Sequence, residues 1–92
     1  MDKFDNLKTA PGLPNPLGAN LINNGVQFSI FTRNATGVKL VLFNSAETDS
    51  DFTEIQLDPF LNKTGDVWHI WIEGLQEGQI YGYRISGDYD PE

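Results

Sequence analysis

Asp66–Leu75, with the sequence DVWHIWIEGL, is the stretch that decides the fold, because it predicts a β-strand followed by a turn. Its side chains alternate between two faces, with Trp68, Ile70 and Ile72 on one and Val67, His69, Trp71 and Glu73 on the other. Each face therefore carries one of the two tryptophans of the chain. A lone domain of 92 residues needs only one buried face. We therefore expect the second face to contact another domain, or a ligand that stacks on an indole.

The segment after this strand predicts a second strand, Gln79–Gly87. Gly74 and Gly78 bracket the turn between the two strands. Two strands joined by a short loop that contains glycine are typical of a β-hairpin. We therefore predict that these two strands pair directly with each other.

Strands are also predicted along the rest of the chain, where apolar and polar residues alternate between turn signals. These strands are Leu17–Ile22, Val26–Thr32, Val38–Phe43 and Phe52–Asp58. Asn23-Asn24-Gly25 predicts a turn between the first two, since Asn and Gly tolerate positive φ, and Asp58-Pro59 ends the last. Alternation places Gln27 and Ser29 on the outward face of their strand. The Val38–Phe43 strand is apolar on both faces, since Val41 and Phe43 alternate with its inward residues, and this supports the same expectation of a partner. No apolar residues repeat at helical spacing over three turns. The pattern predicts an all-β, antiparallel, immunoglobulin-like sandwich of six to eight strands.

The chain divides into two predicted segments. Residues 1–16 contain Pro11, Pro14 and Pro16, and proline favours extended backbone at itself and at the preceding residue. We expect residues 1–16 to form an extended N-terminal arm, loose at its start and held by Leu13 and Leu17. Residues 17–92 are expected to form the sandwich as a single domain.

Charge and composition exclude several classes of partner. Six basic and thirteen acidic residues give a net charge of −7, which repels nucleic acid and anionic membranes. The acidic groups Glu47–Glu54 and Asp88–Glu92 are interpreted as a solvated loop and tail. Cysteine is absent, the opening MDKFD has no secretory pattern, and no run approaches the roughly 18 apolar residues of a membrane span. We expect a cytoplasmic protein.

Candidate chemistry is sparse. His69 is the only histidine, and one histidine without cysteines or converging acids predicts a hydrogen-bonded imidazole rather than a metal ligand. A glycosidase needs two carboxylates roughly 5–10 Å apart on a rigid wall, and nothing in the pattern places two acids in that way. We expect no catalytic residue, metal or cofactor in this chain.

The candidate contact residues are Trp71, His69 and Phe43, which we expect to bind carbohydrate or to dock another domain. An exposed indole is a good platform for the apolar face of a sugar ring. The alternative for Trp71 is packing against a neighbouring domain. Trp68 is assigned to the core instead, because Ile70 and Ile72 share its face.

Several motifs together resemble a known family. They are Pro14–Ala19, Gly25–Phe31, Asn34–Thr36, Val67–His69 and Gly78–Arg84. In this order and spacing, over about residues 11–92, they resemble the N-terminal domain of isoamylase-type glycogen debranching enzymes. The resemblance implies a family-48 carbohydrate-binding module with an early-set sandwich. In the family this module precedes a (β/α)8 barrel that hydrolyses α-1,6 branch linkages.

The resemblance therefore implies a non-catalytic accessory or carbohydrate-binding domain, here a piece of a longer enzyme. Its implied partners are the barrel and, through the parent enzyme, an α-glucan such as glycogen, amylopectin or limit dextrin. The family's nucleophile and acid/base have no matching positions here. The glycogen-binding modules of kinase β-subunits bind sugar with two tryptophans and a lysine, and that trio has no match either. Two alternatives stay open: a stand-alone α-glucan-binding module, or the same domain from a branching or trehalose-forming enzyme.

Overall fold

The computed structural model describes residues 7–44 and 51–87. Every regular element in these residues is a β-strand, and all strand pairs are antiparallel. The eight strands are β1 (Thr9–Ala10), β2 (Gly18–Ile22), β3 (Gly25–Phe31), β4 (Ala35–Phe43), β5 (Phe52–Gln56), β6 (Lys63–Thr64), β7 (Val67–Glu73) and β8 (Tyr81–Gly87). The predicted all-β immunoglobulin-like sandwich is confirmed.

In the part of the chain that the structure describes, no helix is long and apolar enough to cross a membrane.

The strands form two sheets, which we call sheet A and sheet B. Sheet A has the order β1-β7-β3-β2, with β6 also paired to β7, and sheet B has the order β5-β4-β8. Strand β7 is the most connected element. It pairs with β3 along its whole length on one edge, and with the short strands β1 and β6 on the other. The predicted Trp strand is therefore the centre of sheet A.

The predicted hairpin between β7 and β8 is wrong, because the two strands lie in different sheets. Strand β8 pairs with β4, not with β7. The connecting segment begins with the Gly74 N–H donating to the Asn24 carbonyl of sheet A, at 2.9 Å. It ends at the Ile80 carbonyl, which accepts from the Phe43 N–H of sheet B at 3.0 Å. The loop thus crosses the sandwich instead of folding the chain back on the same sheet.

The β2–β3 hairpin agrees with its predicted turn. Asn23 and Asn24 have φ values of 50° and 67°, the left-handed backbone that a type I′ turn requires. Asparagine tolerates this conformation better than most residues. The turn Asn23-Asn24-Gly25 that was predicted from local sequence is therefore confirmed.

The core lies between the inner faces of the two sheets. It consists of buried apolar residues from β3, β4 and β7 together with Leu57, namely Val26, Phe28, Val38, Leu40, Leu42, Leu57, Trp68, Ile70 and Ile72. Trp68 is 1% exposed, so its assignment to the core is confirmed. The Phe28 and Tyr81 rings meet edge to face at 4.9 Å and thus join sheet A to sheet B.

Candidate functional site

The outer face of sheet A is covered by residues 11–15, which we call the strap. Gln27 and Ser29 of β3 and His69 of β7 point to this face, and yet all three side chains are buried. Buried polar groups are costly unless they are hydrogen-bonded. The strap supplies partners for all three of these side chains, so a segment of the same chain covers the face that was expected to need a partner.

Four hydrogen bonds to strap backbone fix it in place, three of them on β3. The Leu13 N–H donates to Gln27 Oε1 at 3.0 Å, and Gln27 Nε2 donates to the Asn15 carbonyl at 2.9 Å. The Ser29 hydroxyl donates to the Pro14 carbonyl at 2.7 Å. The Gln27 amide therefore binds the strap in both directions, as donor and as acceptor.

The predicted anchors of the N-terminal arm are wrong. Leu13 is 63% exposed and Leu17 is 56% exposed, so neither side chain is buried in the sandwich. The arm is instead held through its backbone by the polar residues beneath it, and it contains β1, which pairs with β7. The predicted domain boundary at residue 16 stays a prediction.

His69 provides the fourth strap contact. Its Nδ1 lies 2.7 Å from the Pro11 carbonyl oxygen, and its Nε2 lies 2.8 Å from the Thr64 hydroxyl. Because a carbonyl only accepts, Nδ1 carries the proton, and in the neutral ring the Thr64 hydroxyl donates to Nε2. Both ring nitrogens are used inside the fold, which confirms the expected hydrogen-bonded imidazole. Among the described residues, no group of three or more His, Cys, Asp or Glu is placed to hold a metal ion.

Trp71 lies on the same outer face, two residues further along β7, and is partly exposed. Its indole N–H donates to the Ile22 carbonyl at 2.7 Å. The six-membered ring lies against Gly25, where a Cβ atom would come within 2.8 Å of Trp71 Cε2 and Cζ2. Glycine is therefore needed at position 25, and the hydrogen bond and this close packing together fix the indole plane.

A shallow depression of about 300 Å³ opens beside the Trp71 ring. The strap, the β2–β3 turn and the two central strands of sheet A contribute to its wall, through Ala10, Gly12, Leu13, Ile22, Asn23, Gln27 and Trp71. We call it the Trp71 depression.

The structure does not bring Phe43 together with Trp71 and His69. Phe43 ends β4 on the outer face of sheet B, where its ring lies 6.0 Å from that of Phe52, between centroids. Its Cε2 atom also covers Gly82, 3.8 Å from where a Cβ would stand. This apolar cluster is therefore separate from the Trp71 depression. A contact of either region with carbohydrate or with another domain stays a prediction.

Charged side chains rim the Phe43 cluster. Glu54 pairs with Arg84 and lies 3.9 Å from the Lys39 ammonium. The Arg84 guanidinium also lies 5.9 Å from the centre of the Phe52 ring, within the range of cation–π attraction. Val41, on this outer face, is buried within the domain itself. The apolar outer face of β4 is therefore partly covered by its own sheet.

Sequence reasoning missed a hydrogen-bonded turn between β5 and β6. Asp58 Oδ1 accepts from the N–H groups of Phe60 and Leu61, at 2.7 and 3.3 Å. Asn62 closes the turn, with its N–H donating to the Asp58 carbonyl at 2.7 Å. The turn presents Phe60, which is 91% exposed. The Asp58-Pro59 pair predicted only the end of a strand. It did not predict the turn that follows or the exposed Phe60 ring.

The fold is therefore a two-sheet antiparallel sandwich of immunoglobulin-like type, with the Trp71 ring held beside a shallow depression. The family described as carbohydrate-binding module 48 (isoamylase N-terminal domain) matches residues 16–92. The chain belongs to this family, and the resemblance inferred from its motifs is confirmed.

Similar proteins agree with this assignment. Isoamylase 1, chloroplastic, of Oryza sativa subsp. japonica is 42% identical over 82 residues, which are 87% of this chain and 10% of that protein. The glycogen debranching enzyme of Serratia proteamaculans (strain 568) is 43% identical over 81 residues, 88% of this chain and 11% of that protein. Isoamylase 1, chloroplastic, of Arabidopsis thaliana is 36% identical over 92 residues, 98% of this chain and 12% of that protein. The chain thus spans about a tenth of the length of these relatives.

Proposed function

We propose that this chain is the non-catalytic accessory domain of a hydrolase that cleaves α-1,6 branch linkages in glycogen-like glucans. We also propose that it holds α-glucan for that hydrolase. The observation that carries the proposal is the family match over residues 16–92, together with relatives named isoamylase and glycogen debranching enzyme. These names favour a debranching enzyme over a branching or trehalose-forming one.

The surface chemistry supports an α-glucan as the ligand. A glucan is neutral, so the net charge of −7 does not repel it as it repels phosphate. Sugar rings present an apolar C–H face that packs on aromatic side chains. Partly exposed rings occur on both outer faces, Trp71 on sheet A and Phe43 with Phe52 on sheet B.

A second partner in this proposal is the (β/α)8 catalytic barrel of the parent enzyme. The exposed Phe60 and Leu61 support such docking, because their N–H groups are hydrogen-bonded to Asp58 in the turn that presents them. Buried aromatic anchors carry much of the binding energy at protein interfaces. A stand-alone glucan-binding module remains the alternative, and it would need no such anchor. A cytoplasmic location stays a prediction.

Two measurements on the 92-residue chain test the proposal. In the first, the chain is sedimented with glycogen, and we expect it to appear in the pellet in proportion to glycogen concentration, with bovine serum albumin staying in solution. In the second, the chain is incubated with amylopectin, and we expect no increase in reducing ends. Absence from the glycogen pellet would contradict the glucan-holding role, and sustained release of linear chains would contradict the non-catalytic role.

A further inference from the structure

We infer that the Trp71 depression is a subsite for one neutral glucosyl unit of an α-glucan chain. This inference rests on the proposed function and adds to it a location, a ligand size and a set of contacts. The depression lies on the outer face of sheet A, bounded by the strap on one side and the β2–β3 turn on the other.

The floor of the subsite is an indole that is already held in position. Trp71 donates its N–H to the Ile22 carbonyl at 2.7 Å, and its ring lies against Gly25. Binding therefore does not have to immobilise this side chain, and the entropic cost of ordering an aromatic contact is avoided. With its N–H already used, the indole offers its apolar surface, which suits the C–H face of a pyranose.

The wall supplies both apolar and polar contacts, of which Leu13 and Asn23 are the most exposed. Leu13 projects from the strap and is largely exposed, so a ring on the indole would also contact its methyl groups. Asn23 lies at the β2–β3 turn with its side chain exposed, and its amide both donates and accepts hydrogen bonds to hydroxyls. Gln27 has a different role, because both ends of its amide already bind the strap and so hold Leu13 in place.

Size and charge define the ligand class. A volume of about 300 Å³ is at the lower end of small-molecule pockets, which span roughly 300–1,000 Å³. The depression therefore fits one sugar ring rather than several. None of the described residues that line it is charged, which favours a neutral sugar over a phosphorylated or acidic one. A single open subsite of this kind implies weak, millimolar affinity.

The test is a calorimetric titration of the 92-residue chain with maltoheptaose, comparing Leu13→Ser with Leu17→Ser. Both leucines are exposed and lie four residues apart in the sequence, so neither change should affect the core. Only Leu13 lines the depression. We expect Leu13→Ser to weaken maltoheptaose binding about three- to tenfold, through the lost apolar contact. We expect Leu17→Ser to bind as the parent chain does.

Thermal unfolding of both variants supplies the folding control, and we expect midpoints equal to that of the parent chain. Equal maltoheptaose affinity in the parent, Leu13→Ser and Leu17→Ser chains would overturn the subsite and leave the proposed glucan-holding function intact. Equal weakening in both variants would also overturn it. Absence of maltoheptaose binding by the parent chain would contradict both the subsite and the glucan-holding function.

Discussion

Buried side chains lie on both faces of β7, but they are covered by different means. On the inner face, Trp68, Ile70 and Ile72 pack in the apolar core between the sheets. On the outer face, His69 is 4% exposed because the strap covers it. The Pro11 carbonyl of the strap accepts a hydrogen bond from His69 Nδ1. Burial of one apolar side chain contributes about 1.5–3 kcal/mol, whereas a hydrogen bond contributes a net 0.5–1.5 kcal/mol or so. The inner face should therefore contribute most of the free energy of unfolding. The outer face should mainly hold the strap in position.

The largest expected effect comes from breaking the inner face. Trp68→Ala removes a fully buried aromatic side chain, which typically costs about 3–5 kcal/mol, out of a total of about 5–15 kcal/mol for a small domain. We expect this variant to be unfolded or nearly so in urea denaturation of the 92-residue chain. Trp71→Ala should cost much less, since its ring is partly exposed. A larger loss for Trp71→Ala would mean that the two faces of β7 contribute in the opposite order.

A smaller loss of stability is expected when an extra methyl group is added beneath the Trp71 ring. At position 25 an alanine Cβ would meet the Ile72 carbonyl oxygen and the Trp71 ring, and such overpacking costs about 1–3 kcal/mol. We expect Gly25→Ala to lower the free energy of unfolding by this amount in urea. Gly82→Ala is the matched control, because its Cβ meets only Phe43 Cε2, at 3.8 Å. Equal losses in the two variants would contradict the tight packing of Gly25 against the Ile72 carbonyl and the Trp71 ring.

Loosening the strap is expected to cost less again. Gln27→Met keeps the side-chain length but leaves the Leu13 N–H and the Asn15 carbonyl without their partners. Unpaired buried groups cost about 1–3 kcal/mol, and because the strap can lift toward water we expect about 1 kcal/mol. Amide hydrogen exchange at Leu13 should accelerate in this variant while that of core amides such as Ile70 stays slow. Unchanged protection at Leu13 would contradict the role of Gln27 in holding the strap.

The smallest effect concerns a polar group on the inner face of sheet B. Tyr83 Oη is buried and has no hydrogen-bond partner among the described residues, so Tyr83→Phe should change stability at pH 7 by less than about 1 kcal/mol. Burial raises the pKa of the Tyr83 phenol above its ordinary value of 10.0, and the neighbouring Tyr81 raises it further. Below pH 10 this phenol is protonated in both the folded and the unfolded chain. The Tyr83 phenol therefore makes the free energy of unfolding no more dependent on pH in that range.

Above pH 10 the unfolded chain ionises at Tyr83 while the folded chain keeps the phenol protonated, so the free energy of unfolding falls as the pH rises. We expect urea denaturation between pH 9 and pH 11 to show a shallower decline for Tyr83→Phe than for the parent chain. The same slope in both chains would show that Tyr83 ionises equally well in the folded state.

Local sequence predicted the parts of this fold that depend on neighbouring residues. Alternation located the six longer strands and placed Trp68 inside, and the Asn23-Asn24-Gly25 pattern predicted the β2–β3 turn. The two-residue strands β1 and β6 were not predicted. Pairing was not predictable in the same way, because alternation gives the faces of β7 and β8 but not their partners. For the same reason, the sequence around Phe43 did not indicate that Phe43 and Trp71 lie in different sheets.

The strap escaped prediction for a different physical reason. Its bonds join residues 12 to 58 positions apart, and they use backbone atoms, which carry no sequence signal. Leu13 and Leu17 were expected to anchor the arm because apolar side chains usually do. The polar residues Gln27, Ser29 and His69 anchor it instead, and alternation alone made Gln27 and Ser29 appear to be solvent-facing. The fixed indole beside a depression therefore became visible only with the three-dimensional structure.

The most direct test of this account follows the two indole N–H signals by NMR while maltoheptaose is added to the 92-residue chain. Trp71 and Trp68 lie on opposite faces of one strand, so the buried Trp68 is an internal control for general change. We predict that the Trp71 indole signal shifts and saturates at millimolar sugar while the Trp68 indole signal stays in place. Saturable shifts elsewhere with an unmoved Trp71 signal, or equal shifts of both indoles, would contradict a glucosyl subsite on the outer face of β7.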